Sequence, residues 1–429
     1  MRFLFSPPDE TAVGLLTLPW AEPLQSWTDS RLVEVRQRGI SRHVVRFVAE
    51  GGCLYALKQI SEALAEREHR LLRLLEERHI PAVGVRGVVV DRGGHLDPAT
   101  DAVLVTTFLE YSTSYRSLFS NPRAGPESDK LIDALVQLLV RLHLTGFYWG
   151  DCSLSNTLFR LDAGALEAYL VDAETSEHHE SLSDGQRTYD VELARENVGG
   201  ELMDLRAGDL LPEGVDPIEV ADSIPRRYRA LWDELAQEEV LRPEEQRYRV
   251  ADRLRRINEL GFDADEVELI SSGAGYRLRV QTRVAEPGQH KQRLFMRTGL
   301  DVQENQARRL LNDIASFRGY LEQKSAHLVP ESVAANRWLS EVYDPVVNAI
   351  PPSLRGRLAP AEIFHEILLH RWYLSETAGH DVGASAAAQS YYRSVLPDVP
   401  EQFTSGDVAS ASERRIRETS EARDRGDVV

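Results

Sequence analysis

The stretch LHLTGFYWGDCSLSNTLFR, residues 142–160, lies between an apolar run with helical spacing and a segment with the composition of a strand. Gly146 and Gly150 stand just before a carboxylate, Asp151, and a carboxamide, Asn156, follows five residues later. Because glycine ends helices and enters turns at low conformational cost, the pattern predicts a sharp loop between a helix and a strand. A carboxylate and an amide on one loop suit proton transfer and metal binding.

The bulk composition narrows the class of protein. A length of 429 residues predicts two or three domains, and a hydrophobic content of 42% predicts a globular chain. The net charge of −18 argues against a basic face for nucleic acid or an anionic membrane, although a local basic groove for phosphates remains compatible with it. The two cysteines, Cys53 and Cys152, and the absence of a run of ~18 apolar residues predict a cytoplasmic protein without disulfides or a membrane span. Cys152 is expected to be a buried structural thiol.

The segment upstream of the quoted stretch has the pattern of an antiparallel sheet. Three strands joined by short turns form a meander, a helix covers about residues 61–78, and two more strands follow. The predicted strands are LVEVRQ (32–37), HVVRFV (43–48), CLYALKQI (53–60), VGVRGVVV (83–90) and DAVLVTTFL (101–109).

The chain then becomes mostly helical. Helices are predicted at 127–146, 186–206 and 224–240, with short strands at 157–161 and 168–174. The fold class is therefore α+β, with a sheet-rich N-lobe and a helical C-lobe as in kinase-like folds.

From about Leu241 the composition changes, which predicts an additional α/β domain. Its predicted elements are a charged helix at 244–261, strands at 265–270 and 276–284, a long helix at 300–323 and a final helix at 360–376. The last residues have no aromatic side chains and mixed charge, so a disordered tail is expected. The predicted divisions are an N-terminal segment 1–30, an N-lobe 31–110, a C-lobe 111–240, a C-terminal domain 241–380 and a tail 404–429.

Several motifs in the sheet-rich half resemble those of the protein-kinase-like superfamily. YALK (55–58) resembles the kinase strand motif that ends in a lysine, which implies that Lys58 binds the ATP phosphates. In REHRLL (67–72), Glu68 has the place of the glutamate that pairs with this lysine. FLEYS (108–112) resembles the hinge, which implies that Glu110 and Tyr111 contact adenine through their backbone.

The quoted loop resembles the catalytic loop of the same superfamily, and YLVDAE (169–174) resembles its metal-binding motif. The resemblance implies that Asp151 is the base and that Asn156 and Asp172 hold Mg²⁺. The order of the motifs is closest to the lipopolysaccharide-kinase and aminoglycoside-phosphotransferase group, in which a GD loop and an Asn also precede a strand ending in Asp. The likeness covers residues ~30–210.

The sequence also departs from the kinase pattern. Between the first two predicted strands only Gly39 is present, so backbone cradling of phosphate is weakened, with Arg38, Ser41 and Arg42 available to contribute. Trp149 replaces the histidine or arginine that usually precedes the aspartate. Asp-Ala-Glu replaces Asp-Phe-Gly, leaving Glu174 as a second metal ligand or a surface carboxylate.

These features favour an ATP- and Mg²⁺-dependent phosphotransferase acting on a hydroxyl of a small molecule, a sugar or a lipid-linked glycan. One alternative is a pseudokinase, a nucleotide-binding scaffold whose C-terminal domain binds a protein partner. Another is a Ser/Thr protein kinase, which the lack of a regulated activation segment disfavours. No nucleic-acid partner is expected.

The segment EIFHEILLHRWYLSETAGHDVG (362–383) resembles an uncharacterised domain found downstream of kinase-like halves in bacterial proteins, and this resemblance implies no activity. Within it Glu362, Glu366 and His370 recur every four residues. A metal site on this helix face is conceivable, but an ion network along the face is favoured.

Overall fold

The computed structural model describes residues 1–5, 10–35, 42–93, 97–119, 128–236, 239–241, 262–272, 275–284, 289–325, 327–380 and 382–399. Gly39, with its neighbours Arg38 and Ser41, lies outside these ranges, as do the helix predicted at 244–261 and the predicted tail.

The N-lobe is built on one antiparallel sheet of six strands in the order β1-β5-β6-β4-β3-β2. The five predicted strands are present, although β2 is much shorter than expected. The sixth strand, β1, lies in the N-terminal segment and pairs with β5. No strand was predicted there. The elements are β1 Arg2–Phe5, β2 Leu32–Val33, β3 Val44–Glu50, β4 Cys53–Ile60, α1 Glu62–Glu77, β5 Val85–Val90 and β6 Ala102–Thr107.

Both faces of this sheet are buried because alternate residues of its central strands point into two different cores. Leu57 and Val105 pack with Trp20 and Trp27 of the N-terminal segment on one face. On the other face Leu104 belongs to the core that contains α1 and continues into the C-lobe. The N-terminal segment is therefore an integral layer of the N-lobe.

The C-lobe combines an antiparallel hairpin, β9–β10, with three long helices. Strand β7 pairs with β9, and the apolar side of α3 packs beneath the hairpin. The elements are β7 Ser112–Ser114, α2 Tyr115–Phe119, α3 Ser128–Leu144, β8 Phe147–Tyr148, β9 Thr157–Asp162, β10 Ala165–Leu170, β11 Glu177–His178, α4 Asp184–Ala207 and α5 Pro217–Ala236. This arrangement confirms the predicted α+β fold with a sheet-rich and a helical lobe.

The C-terminal region consists of a three-stranded sheet, order β12-β14-β13, and a helical bundle with its own core. The bundle also includes a helix after residue 380, the predicted end of this domain; its Tyr391 is buried in that core. The elements are β12 Glu239–Leu241, β13 Phe262–Ser272, β14 Gly275–Val284, α6 Gln289–Thr298, α7 Glu304–Ser325, α8 Glu331–Trp338, α9 Asp344–Asn348, α10 Pro360–Ala378 and α11 Ala384–Ser394. No helix among the described residues is both long enough and apolar enough to cross a membrane.

Candidate active site

The loop that joins α3 to β9 depends on its two glycines. Gly146 and Gly150 have φ of 76° and 75°, the left-handed region that favours glycine. A Cβ atom on Gly146 would lie 2.1 Å from the carbonyl oxygen of His179, and one on Gly150 would lie 3.1 Å from that of Thr175. The backbone turn and the close approach of the 175–179 segment therefore both require glycine before Asp151.

A buried carboxylate, Asp190 on α4, fixes the backbone of this loop. Its two oxygens accept hydrogen bonds from the amides of Trp149 at 2.8 Å and Gly150 at 2.9 Å. His143 Nε2 lies 3.0 Å from Asp190 Oδ2, and the other ring nitrogen lies 2.7 Å from the hydroxyl of Tyr228. Burial lowers the pKa of His143, so the neutral ring donates to Asp190 and accepts from Tyr228.

Asp151 is held in one orientation by two amide side chains. Asn156 Nδ2 donates to Asp151 Oδ2 at 3.0 Å, and Asn197 Nδ2 on α4 donates to Asp151 Oδ1 at 3.2 Å. Arg42 Nη2 lies 3.9 Å from the same carboxylate. Burial raises the pKa of Asp151, while the bonds from the two amides oppose this rise. A carboxylate that is aimed and partly desolvated in this way is suited to accept a proton.

The residues after Asp151 are fixed by the same helix, α4. Glu201 accepts hydrogen bonds from the amides of Leu154 at 2.7 Å and Ser155 at 2.9 Å, and from the Ser155 hydroxyl. Burial raises the pKa of Glu201, and among the opposing influences is the positive charge of Arg116 on α2. Asp190, Asn197 and Glu201 therefore form a polar stripe on α4 that supports the whole loop.

Lys58 on β4 joins the two lobes. Its ammonium lies 3.0 Å from Glu68 Oε2 on α1 and 2.9 Å from Asp172 Oδ2, which follows β10. Burial alone would lower the pKa of Lys58, but the two carboxylates outweigh it and the pKa is raised. Glu68 is 1% exposed, and burial raises its pKa to about 7 even though Lys58 opposes the shift.

The Asp-Ala-Glu motif is anchored to both lobes. Trp149 Nε1 donates to the carbonyl of Asp172 at 3.2 Å, so the residue that replaces the usual histidine or arginine supports the motif. Asp172 Oδ1 accepts the amide of Glu174 at 2.9 Å. Glu174 Oε2 lies 2.8 Å from His43 Nε2 on the N-lobe side and 3.5 Å from Lys58. Glu174 is thus not a surface carboxylate; it bridges the lobes.

A cleft of about 1910 Å³ lies between the lobes. Of the residues that the sequence singled out, Lys58, Asp151, Asn156 and Asp172 line it, together with Arg42. Glu68 lies behind Lys58. Phe108 and Leu109 of the expected hinge line the cleft, whereas Glu110 and Tyr111 are not among its lining residues.

Asp190, Asn197, Glu201 and His43 have structural roles at this site that the sequence analysis missed. A signal for one of them was present, because Asp190 shares a helical row with buried Ala194 and Val198 on α4. An acidic residue in an apolar row is expected to be paired, and its partner here is the backbone of the loop that carries Asp151.

Comparison with known families gives the class of protein. Residues 21–255, more than half of the chain, match the model of the phosphotransferase enzyme family (APH), so the chain belongs to that family. Residues 230–396 match the model of a domain of unknown function, DUF4032. The family match confirms the kinase-like half, and the second match confirms the expected uncharacterised C-terminal domain.

No curated protein matches the sequence. Among solved structures, one titled "WaaP in complex with acyl carrier protein" aligns with a TM-score of 0.36 and 14% identity, covering 61% of this chain and 99% of that chain.

Proposed function

We propose that the protein is an ATP- and Mg²⁺-dependent phosphotransferase that phosphorylates a hydroxyl of a small molecule, a sugar or a lipid-linked glycan. The observation that carries this proposal is the meeting of Lys58, Asp151, Asn156 and Asp172 at one interlobe cleft. The family membership supports the reaction type. The acidic charge of the whole chain argues against nucleic acid as the acceptor.

In this proposal Lys58 binds the α- and β-phosphates of ATP. Its pKa is raised, so it carries a full positive charge at neutral pH. Glu68 and Asp172 hold the ammonium at the back of the cleft, which reduces the entropy lost when the nucleotide binds. Phe108 and Leu109, at the expected hinge, are placed to contact the adenine.

The residues that would hold Mg²⁺ fit the ion. Magnesium prefers oxygen ligands, and Asp172 offers a carboxylate. The Asn156 Nδ2 donates to Asp151, and no described residue donates to its carbonyl Oδ1, which leaves that oxygen for a cation. Asn156 and Asp172 would hold Mg²⁺, which would supply positive charge to neutralise the negative charge that develops during phosphoryl transfer.

Asp151 would act as the base. The acceptor oxygen attacks the γ-phosphorus, the bond from that phosphorus to the β–γ bridging oxygen breaks, ADP leaves, and the acceptor proton passes to the Asp151 carboxylate. Asn156 and Asn197 aim the carboxylate, and Asp190 holds the loop backbone, so little rearrangement is needed at the moment of reaction.

A second candidate function is a nucleotide-binding scaffold without turnover. Two observations favour it: only one glycine separates the first two predicted strands, and Glu174, which stands where the kinase motif has glycine, contacts both His43 and Lys58. In that case nucleotide binding would alter the contact between the lobes without chemistry.

Thermal unfolding with and without Mg²⁺-ATP, together with ADP release, distinguishes these functions. The proteins to compare are the wild type, Asp151→Asn and a matched control, Asp204→Asn, which changes an exposed aspartate on α4. The proposal expects nucleotide stabilisation in all three proteins and turnover lost only in Asp151→Asn. If the nucleotide stabilises the proteins but no Asp151-dependent turnover is found, the scaffold is favoured. If the nucleotide stabilises none of them, both functions are contradicted.

A further inference from the structure

The C-terminal region reaches the interlobe cleft. Beyond Glu201, the described residues that line the cleft are Pro352, Ser353 and Arg355, all from a short segment between α9 and α10. This segment lies outside the phosphotransferase match and inside the match to the domain of unknown function. One wall of the candidate active site is therefore supplied by the uncharacterised domain.

The segment belongs to a body that is fixed to the catalytic lobe. Asp162, the last residue of β9, accepts the amides of Asn305 at 3.0 Å and Gln306 at 2.8 Å in the first turn of α7. In return, Glu362 in the first turn of α10 accepts the amides of Ala163 at 2.7 Å and Gly164 at 2.8 Å in the β9–β10 turn.

A third contact closes this set of bonds, because Gln306 Nε2 donates to Glu362 Oε2 at 2.8 Å. We call Asp162, Ala163, Gly164, Gln306 and Glu362 the interface network. Asp162, Gln306 and Glu362 are 2%, 3% and 1% exposed, so the network is shielded from water. Buried carboxylates that each accept two amides hold their partners firmly, so the network fixes the first turns of α7 and α10 to the β9–β10 turn. Leu354, in the 352–355 segment, packs against the core of the same helical bundle.

The arginines that line the cleft differ in which of their guanidinium nitrogens already donate hydrogen bonds. Arg46 is engaged by the carbonyls of Leu24 and Gln25. Arg355 uses only Nε, which donates to the carbonyl of Ile350 at 3.4 Å. Within the described part of the chain its two terminal nitrogens have no partner, and the residue is exposed at the cleft.

Arg116 on α2 also lines the cleft. It lies 5.5 Å from the centre of the Tyr115 ring, next to the Glu201 side chain that supports the loop after Asp151. Arg116 and Arg355 therefore present donors to the cleft from two different domains.

We infer that Arg355, with Arg116, binds an anionic group of the phosphate acceptor, a phosphate or carboxylate carried beside the hydroxyl that is phosphorylated. This inference rests on the proposed function and names its substrate class. In the proposed function the phosphates of ATP are bound by Lys58 and by the Mg²⁺ that Asn156 and Asp172 would hold. The two arginines are therefore assigned to a second anion. The attraction of an anion to these two arginines acts locally, because the chain as a whole carries a net charge of −18.

The test first fills the nucleotide position with Mg²⁺ and a non-hydrolysable ATP analogue, and then titrates inorganic phosphate at constant ionic strength by calorimetry. Four proteins are compared: wild type, Arg355→Ala, Arg116→Ala and the control Arg393→Ala, which removes an exposed arginine on α11 away from the cleft. Loss of charge-assisted hydrogen bonds is expected to weaken phosphate binding by about 10-fold or more in the first two variants. Arg393→Ala should bind phosphate as the wild type does.

The outcomes separate the inference from the proposed function. Equal phosphate binding by Arg355→Ala and wild type overturns the inference, as does the absence of phosphate binding to the analogue-loaded wild type. Weaker binding of the analogue in Arg355→Ala with unchanged phosphate binding makes Arg355 a nucleotide contact and also overturns it. If the wild type binds no ATP analogue, the proposed function fails and the inference falls with it.

Discussion

Lys58 Nζ lies 2.9 Å from Asp172 Oδ2, although the two residues are 114 positions apart and belong to different lobes. The contact closes the back of the cleft and places a cation beside the carboxylate proposed to hold Mg²⁺. Because Glu68 contacts the same ammonium, the three side chains form one unit, and a change in any of them alters the charge that a nucleotide meets.

Replacement of Lys58 by methionine tests the role of this unit. Lys58→Met keeps the length of the side chain but removes the charge, so Glu68 and Asp172 lose their shared cation. We expect turnover to fall by about 100-fold or more, the usual effect of removing a group that stabilises developing charge. ADP release under saturating Mg²⁺-ATP measures the effect. Lys130→Met, an exposed lysine on α3, is the control, and equal activity of the two variants would contradict the assignment.

A separate prediction concerns Asp190, which binds the backbone of the loop before Asp151. Asp190→Asn replaces one acceptor oxygen by an NH₂ group, which faces the amide of Trp149 or Gly150 and cannot accept its hydrogen bond. A buried unsatisfied amide costs about 1–3 kcal/mol, and the loop should shift. We expect a lower free energy of unfolding and a fall in kcat larger than the rise in KM for ATP, measured by denaturant unfolding and steady-state kinetics. Asp204→Asn should change neither.

The parts of the site that sequence could predict are those carried by local motifs. The order of Lys58, Glu68, Asp151, Asn156 and Asp172 is visible because each lies at a fixed place relative to a strand or loop. The fold class followed from the same motifs and from hydrophobic periodicity. Arrangements of this kind depend on neighbouring residues, which a sequence displays directly.

The parts that sequence did not predict depend on contacts between distant residues. Glu362, Glu366 and His370 were expected to form an ion network along one helix face, and for Glu362 this was wrong. Glu362 instead accepts the amides of Ala163 and Gly164, 199 and 198 positions earlier. A carboxylate on a helix looks the same in the sequence whether its partner is a neighbouring side chain or a remote backbone.

The stability of the protein should depend on pH through Asp162. Burial raises the pKa of Asp162 to about 6 from its ordinary value of 3.8; nearby Glu167 adds to the shift, while the two amides of α7 oppose it. The folded state therefore binds the proton more tightly than the unfolded state. The resulting stability is fully present below 3.8 and is lost as pH rises through about 6.

Asp162→Asn removes this titration. Its NH₂ group faces one of the two α7 amides at every pH, so the comparison uses only the change of stability with pH. Between pH 5.0 and 7.5 the wild type should lose about 1 kcal/mol more unfolding free energy than the variant. Denaturant unfolding at the two pH values measures the difference. Glu68 titrates in the same direction in both proteins, so its contribution cancels in the comparison. Equal losses in the two proteins would show that Asp162 is not protonated preferentially in the folded state.

The last prediction concerns the interface network and the β9–β10 hairpin. Asn156 and Asp172 flank the base of this hairpin, and Glu362 binds the turn at its tip. The amide of Val171 donates to the carbonyl of Asn156 at 3.0 Å, and the β9–β10 ladder runs from there to the turn at Ala163 and Gly164. Glu362→Gln leaves one turn amide opposite an NH₂ group, at a cost of about 1–3 kcal/mol.

Hydrogen exchange should therefore quicken by about 10-fold or more at the amides of Ala163 and Gly164, a change that mass spectrometry of peptides spanning 158–170 can resolve. If loosening of the turn extends along the β9–β10 ladder, hydrogen exchange should also quicken at the base of the hairpin, near Asn156 and Asp172. Turnover should then fall, while the stabilisation by nucleotide is kept. Glu376→Gln, at an exposed position of the same helix, provides the matched control. Unchanged exchange at the hairpin turn in Glu362→Gln would mean that the C-terminal domain does not restrain the β9–β10 hairpin, because the amides it binds would then be protected by the hairpin alone.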